Sequence, residues 1–562
     1  MAAPNRPQKA SKGSSKGAAK GSTKESFVDL KTQTQAQESV LQYTKLTDIP
    51  GGVQRLHDTF HDTQKTHSIQ YRLNQLRNVY FKLKDNKEQL AEALVKDFGR
   101  VAAETRILEL TGCLNEITHI MANLHKWIKP EAVKDLPINM ITNPVYIERI
   151  PLGVVLVISS FNYPLLVSLS PIVGAIAAGN VVVFKPSEST PHFSQLYTKL
   201  LTEALDDDIF FTVNGAIPET TKVLEQKFDK IMYTGNNIVG TIIAKKAAET
   251  LTPVILELGG KSPAFVLSDT LDKDLKTIAR RIVWGRFTNG GQSCVAVDYV
   301  LVHETRKAKL VQEIIGILKD EFYPNITKDN ENYTHLIHDR SFGNLKKILE
   351  ATSGKVVYGG DTDSSSRYIS PTVIDNVDWD DSTMKGEIFG PILPILTYSD
   401  LKVALKKLTS THDTPLAQYI FTSGSTSRAK NPEIDTILRT VRSGGTMIND
   451  VLMHFALRAA PFGGIGNSGQ GAYHGWYTFR QFTHERTTVE QQLWNEFALK
   501  SRYPPFTEAK IKLVESSQAD YNGRVWFGRT GNVAINGPGA LFSTWTGIAG
   551  IAALVYYFAG TL

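Results

Sequence analysis

Cysteine is nearly missing from this chain of 562 residues: there are two, Cys113 and Cys294. Two thiols build neither a disulfide framework nor a zinc site, so a reducing compartment is expected and no metal is called for. Acids are missing from residues 1–24, which hold Arg6, Lys9, Lys12, Lys16, Lys20 and Lys24. These six cations equal the whole net charge of +6, so the remainder is balanced and lacks the basic excess that nucleic-acid binding needs. The same stretch has no hydrophobic run, which excludes a secretory signal, and its single arginine makes it a poor mitochondrial presequence. Residues 1–40 are expected to be a disordered basic tail, with contact to anionic lipid as a further idea.

Charge is missing a third time from residues 540–559, ALFSTWTGIAGIAALVYYFA. Twenty helical residues span ~30 Å, the hydrocarbon thickness of a bilayer. Trp545, Tyr556 and Tyr557 suit the interfaces, Gly537-Pro538-Gly539 sets the run apart, and Arg524 and Arg529 lie upstream with no basic residue after it. The expectation is a single-pass tail anchor with the folded part in the cytosol. The endoplasmic reticulum is the first expectation for the membrane, with the mitochondrial outer membrane and the lipid droplet as alternatives. A buried terminal helix is the competing reading of the run.

What is present is ordinary for a globular protein, 42% hydrophobic and 21% charged, and the length calls for two or more domains. Apolar residues at Ile69, Leu73, Leu76, Val79, Leu83, Leu90 and Leu94 predict helix over 69–98, closed by Gly99. Ile107, Leu110, Leu114, Ile117, Met121, Leu124 and Ile128 predict a second helix over 104–128, stopped by Pro130, with Cys113 as filler on it. From 145 onward short apolar strands (153–158, 181–185, 209–213, 230–233, 254–258) alternate with helices. Strands apolar on both faces, separated by helices, predict an α/β doubly wound parallel sheet of the kind that binds nucleotides at the carboxyl ends of its strands. A second α/β unit is expected over about 259–450, with a helix at 272–287, a strand at 299–303 and a long helix at 305–321.

The chemistry centres on Asn289-Gly290-Gly291-Gln292-Ser293-Cys294. A cysteine behind a glycine pair sits where the backbone turns tightly, and free N–H groups there are expected to lower its pKa and make it a nucleophile. Glu257 ends a strand between Leu256 and Leu258, where desolvation would lift its pKa toward that of a general base, although a salt-bridged glutamate would look the same. Asn162, in Ser159-Ser160-Phe161-Asn162-Tyr163-Pro164, follows a strand and can donate to an oxyanion, or can be a plain turn residue. Lys185 and Glu188 end the next strand, where they suit ribose hydroxyls or form a solvated pair. The charge of Glu188 opposes an added 2′-phosphate, favouring NAD over NADP. Gly235 and Gly240 lie in Thr234-Gly235-Asn236-Asn237-Ile238-Val239-Gly240, a strand-to-helix turn able to face a pyrophosphate.

Taken together, SSFNYP, FKPSE, YTGNNIVG, LELGGKSP, GGQSC, GEIFGP (386–391) and PFGGIGNSG (461–469) make the chain resemble the aldehyde dehydrogenases over roughly residues 50–510. It is most similar to the class 3 and fatty aldehyde branch, by YTGNNIVG, Asn449–Phe455, Gly471–Gly475, Arg502–Pro505 and the hydrophobic tail. The resemblance implies NAD(P)-dependent oxidation of a long-chain aldehyde to an acid. In that scheme Cys294 is the nucleophile, Asn162 the oxyanion donor and Glu257 the base that activates water. It also implies that Glu387 binds the nicotinamide ribose, that Phe389 packs beside the ring, and that Lys185, Glu188, Gly235 and Gly240 hold the rest of the dinucleotide. The family's usual acidic doublet is here Gly386-Glu387, with the ribose-binding acid kept.

On the same basis the chain divides into the tail over 1–40, an NAD-binding domain over 41–258, a catalytic domain over 259–450, a return and gatekeeper segment over 451–510, a linker over 511–539 and the anchor. Residues 130–150 and 475–490 would pair two subunits in a homodimer. The alternatives are the same chemistry on another lipophilic aldehyde, an apocarotenal or aromatic one, and a membrane-anchored binding protein that has lost turnover. Acyl transfer to coenzyme A is disfavoured by Glu257.

Overall fold

The runs of Val and Ile that read as strands are fully buried because helices cover both of their faces. The computed structural model describes residues 40–518 other than 135, 137–139 and 141, together with 525–526, 529–530 and 532–535. The basic tail and the run 540–559 lie outside these residues. Among the described residues no helix is long and apolar enough to cross a membrane.

The described strands to residue 489 are β1 (Glu131–Ala132), β2 (Val145–Pro151), β3 (Val154–Ile158), β4 (Val181–Lys185), β5 (Phe210–Thr212), β6 (Lys230–Thr234), β7 (Val254–Glu257), β8 (Pro263–Val266), β9 (Tyr299–His303), β10 (Lys355–Tyr358), β11 (Thr362–Asp363), β12 (Tyr368–Ile369), β13 (Thr372–Asp375), β14 (Ile392–Tyr398), β15 (Ala417–Phe421), β16 (Gly445–Ile448), β17 (Gly469–Gln470) and β18 (Thr483–Val489). By internal contacts the chain forms two compact units, one from residues up to 128 with 150–484, the other from 129–149 with the residues from 485 onward.

The larger unit holds two large sheets beside the two-stranded pair β11-β12. The first runs β17-β7-β6-β3-β4-β5. Its five longer-spaced neighbours β7, β6, β3, β4 and β5 pair in parallel, and β17 closes the edge antiparallel to β7. The chain leaves β3 toward β4 and β5, then returns to β6 and β7 on the other side, so the order reverses between β3 and β6. In open α/β sheets that reversal opens a crevice at the carboxyl ends of the strands. The second sheet runs β10-β13-β14-β9-β8-β15-β16 and is parallel apart from the β10–β13 pair. Only the five residues 258–262 join β7 to β8, so the carboxyl edge of the first sheet abuts the amino edge of the second.

Two helical expectations are corrected. The stretch 69–98 is two helices, Ile69–Asp85 and Lys87–Phe98, broken at Asn86 (φ −110°, ψ 22°), with Gly99 (φ 64°) as the left-handed cap. The second helix begins as Ala102–Glu104, widens to π geometry over Thr105–Leu110, and is α-helical over Thr111–Trp127. The widened turn puts Glu109 inside, at 0% exposure, and leaves Ile107 outside, at 69%. Cys113 is buried core.

In the smaller unit, β1 and β2 pair antiparallel and β18 completes a three-stranded sheet in the order β1-β2-β18. Glu148 accepts from Arg486 (2.9 Å) and Thr488 (2.6 Å), and Asn143 from Asn495 (3.3 Å). The start of the segment read as linker is helical, Glu508–Gln518.

Candidate active site

Cys294 is presented by a turn that few sequences can make. After the helix Asp272–Phe287, three consecutive residues are left-handed: Asn289 (φ 55°), Gly290 (φ 60°) and Gly291 (φ 73°). A Cβ on Gly291 would stand 2.3 Å from the carbonyl oxygen of Gly390, so glycine is required both by φ and by the neighbouring strand entry. The Asn289 backbone N–H donates to Glu104 (3.1 Å), and its side-chain amide donates to the carbonyls of Asn162 (2.9 Å) and Gln292 (3.1 Å). Gln292 is in turn clamped between the His335 carbonyl (2.9 Å) and the Ile337 N–H (3.0 Å). The cysteine thus sits at the amino edge of the second sheet, just before β9.

Desolvation pushes the half-buried Cys294 thiol up to about 12, and the charges of Glu387 and Glu257 add to it. The N–H groups of Cys294 and Val295 do face the sulfur and pull the other way. The expectation of a lowered thiol pKa is therefore corrected: the donors are present, but burial and two carboxylates outweigh them. At neutral pH the sulfur carries its proton and needs a base.

A carboxyl suited to that task is close by. Glu257 is the last residue of β7, buried, with neither carboxyl oxygen hydrogen-bonded. Desolvation holds it well above the ordinary carboxylate range. Its carbonyl accepts from the Gly235 N–H (3.0 Å), which locks the β6 and β7 ends together.

Asn162 follows β3 on the same edge and is buried. Its amide oxygen accepts from the Ser160 hydroxyl (2.7 Å), so its NH₂ is the group left to donate. Its carbonyl accepts from Asn289 and from Arg100 (3.1 Å). Arg100, fully buried, pairs with the equally buried Glu109 and lies 4.7 Å from the Tyr163 ring centre. Glu109 also takes the N–H groups of Leu165 (2.9 Å) and Leu166 (3.0 Å) at the start of the next helix. The Tyr163 hydroxyl meets Ser293, beside the cysteine. Arg100, Glu104 and Glu109 carry no local sequence signal of this role: Arg100 follows the Gly99 helix stop, and the two acids sit on a stretch read as helix.

The proposed dinucleotide residues line the same crevice. Lys185 ends β4, and its ammonium donates to Glu188 (2.7 Å). Burial alone would raise the Glu188 carboxyl, but Lys185 brings it below the ordinary value. Gly235 follows β6, and Gly240 is buried in the first turns of the helix Asn237–Ala248, which Asn236 caps. Glu387 lies over the turn after Glu257: its carboxylate accepts from the Gly260 N–H and fills the space a Cβ on Gly259 would take, 2.0 Å away. Phe389 holds φ 52°, its ring edge-on to Phe161 with centres 6.0 Å apart.

The aldehyde dehydrogenase family profile matches residues 22–488. The chain is a member of the aldehyde dehydrogenase family. It is 39% identical over 510 residues to the fatty aldehyde dehydrogenase HFD1 of Saccharomyces cerevisiae, covering 88% of this chain and 94% of that one. It is 40% identical over 493 residues to the beta-apo-4'-carotenal oxygenase of Neurospora crassa, covering 88% and 90%. Among solved structures it matches a substrate-bound Staphylococcus aureus AldH with a TM-score of 0.77 and 35% identity, over 83% of this chain and 99% of that one.

The family's cofactor is NAD or NADP, and the residues present fit it. Two polar groups at the crevice, the Thr234 hydroxyl and Glu387 Oε1, are buried with no hydrogen-bond partner, as groups awaiting a hydroxyl-rich ligand would be. Lys185 and Glu188 offer a donor and an acceptor two strands away from Thr234.

Proposed function

We propose that this dehydrogenase oxidises long-chain aliphatic aldehydes to carboxylic acids through a thioester on Cys294. The observation that supports it most is the Glu257 carboxyl: buried, unpartnered, and near enough to raise the pKa of the sulfur. Glu257 takes the thiol proton as Sγ bonds to the aldehyde carbon. The Asn162 amide and the Cys294 N–H hold the oxyanion of the resulting thiohemiacetal. Lys185, Glu188, Gly235, Gly240, Glu387 and Phe389 would hold a dinucleotide, which would supply the hydride acceptor. Hydride loss leaves a thioester. Glu257, its proton passed to solvent, then takes one from water as the water oxygen bonds to the carbonyl carbon. The C–S bond breaks, the acid leaves and the thiol is restored.

The substrate class rests on the names of the yeast and Neurospora relatives and on residues 540–559. Transfer of the fourteen methylenes of hexadecanal into lipid is favourable by about 11 kcal/mol, so a tethered enzyme meets such an aldehyde at the membrane surface. We place the anchor in the endoplasmic reticulum with the folded part cytosolic, and subunit pairing in a homodimer at the sheet of β1, β2 and β18. A second reading, oxidation of an apocarotenal, is favoured by the Neurospora relative. Purified protein with NAD and hexadecanal is expected to form NADH, and Cys294→Ala to form none. Absence of NADH with every aldehyde tried would overturn the enzyme reading. Truncation after residue 535 is expected to slow oxidation of vesicle-borne hexadecanal and spare a short aldehyde, and equal effects on both would refute the role of the anchor.

A further inference from the structure

Three buried charges behind the crevice have no part in the mechanism above. Asp298, 2% exposed, lies between two cations: its Oδ2 accepts from Lys261 (2.6 Å) and its Oδ1 from Arg286 (3.0 Å). All three reach the segment that carries Glu387. Lys261 donates to the Thr383 carbonyl (2.7 Å), the Ile388 N–H donates to Asp298 (3.1 Å), and Arg286 donates to the Gly390 carbonyl. Glu387 lies between these three fixed points, its Oε2 over Gly259 and its Oε1 buried without a partner. Lys261, Arg286 and Asp298 together carry a single positive charge beside Glu387, which keeps one oxygen to serve a ligand. Interior ion pairs contribute little net stability against apolar packing, so a buried triad held at this position calls for another account.

We propose that Lys261, Asp298 and Arg286 form a positioning clamp that fixes the Glu387 carboxylate for the dinucleotide and sets its charge. This rests on the reading of Glu387 as a ribose ligand. The clamp members act on Glu387 with opposite sign. Burial and then Asp298 push its carboxyl up, to about 8, against the Gly260 N–H, Arg286 and Lys261, which lower it. Cys294 also feels Glu387 directly, while Tyr333 faces Arg286 and His412 faces Lys261 and Asp298. Removing Asp298's charge therefore eases ionisation of Glu387, and removing Lys261's opposes it. A defect that merely loosened the fold would not separate in sign.

The test is NADH affinity of the full-length protein, read from NADH fluorescence between about pH 6 and pH 10. In wild type, affinity is expected to strengthen as pH rises through the Glu387 midpoint. Asp298→Asn is expected to lower that midpoint by about one pH unit and Lys261→Met to raise it by about as much, the range for a contacting charge. Lys261→Arg should keep the wild-type midpoint. If Asp298→Asn does not fold, Lys261→Met and the charge-conserving double variant, Asp298→Asn with Lys261→Met, decide instead, the double returning to the wild-type midpoint. Shifts in the same direction, or none, with Glu387→Gln still weakening and flattening the profile, overturn the clamp. A Glu387→Gln protein that binds NADH as wild type does would instead overturn the ribose reading on which the clamp depends.

Discussion

Replacing Glu257 with glutamine keeps the size of the side chain and removes the only function proposed for it. The carboxyl makes no hydrogen bond, so the substitution breaks none. What is lost is a base, and a positioned base contributes roughly 10²- to 10⁴-fold. At 1.36 kcal/mol per decade that is about 3 to 5.5 kcal/mol of barrier, falling on thioester hydrolysis and on thiol deprotonation. The assay is a rapid-mix measurement of NADH, which separates the first turnover from the steady state. In Glu257→Gln a slowed first turnover is expected, followed by a steady rate lower by two to four decades, with acyl-enzyme detectable by mass.

The pH profile gives an independent reading. Because desolvation raises the Glu257 carboxyl, wild-type turnover is expected to climb with pH well above the ordinary carboxylate range, tenfold per pH unit on the acid limb, and the glutamine variant to lose that limb. The stability sign runs opposite. A carboxyl raised in the folded state favours folding when protonated and loses that contribution as pH rises through its folded pKa, so the glutamine variant should be no less stable than wild type in alkali. Unchanged steady turnover, or a retained acid limb, would refute Glu257 as the base.

Two further outcomes follow from the scaffold. Glu109→Gln keeps acceptors for Leu165 and Leu166 but strands Arg100 without its counter-ion; loss of about 3 to 5 kcal/mol is expected in denaturant unfolding, and most of it should return in Arg100→Met with Glu109→Gln, leaving about 1 to 2 kcal/mol for the Asn162 contact and the Tyr163 ring. A double variant as unstable as the sum of the singles would refute a coupled pair. Gly291→Ala forces a Cβ against the Gly390 carbonyl at a positive φ, and loss of dehydrogenase activity and of Cys294 alkylation by iodoacetamide at the wild-type rate is expected, measured by NADH formation and by mass. Retention of either would show that the Cys294 turn is not held as described.

Much of the first sheet was legible because β3, β4 and β7 are short apolar runs rich in Val and Ile that begin just after a glycine or proline turn. Val181–Lys185 falls where the pattern put it, as does Tyr299–His303 in the second sheet, and Val254–Glu257 ends one residue early. Cys294, Glu257 and Asn162 were visible because each sits beside a strand end or a glycine pair. The supports were not visible. Glu104 precedes the π-turn and Glu109 lies within it, and periodicity at 3.6 residues assigns such charges to solvent; the widened turn rotated Glu109 inward and Ile107 out. Arg286 meets Gly390 and Asp298 meets Ile388 from about a hundred positions away, and no local pattern announces those contacts. The thiol pKa was misjudged for a related reason: N–H donors are a local property of the turn, whereas Glu387 and Glu257 arrive from other segments.

The meeting of one sheet's carboxyl edge with the other's amino edge bears on how this protein fails. Glu257 and Asn162, proposed as base and amide donor, end strands of the first sheet; Cys294 and Glu387 belong to segments of the second. Every helix and strand can persist while a small parting along this seam leaves each half-reaction's participants stranded on opposite banks. On warming, turnover is therefore expected to vanish ahead of helical circular dichroism, and a ligand that bridges the two edges should close the gap between those two temperatures.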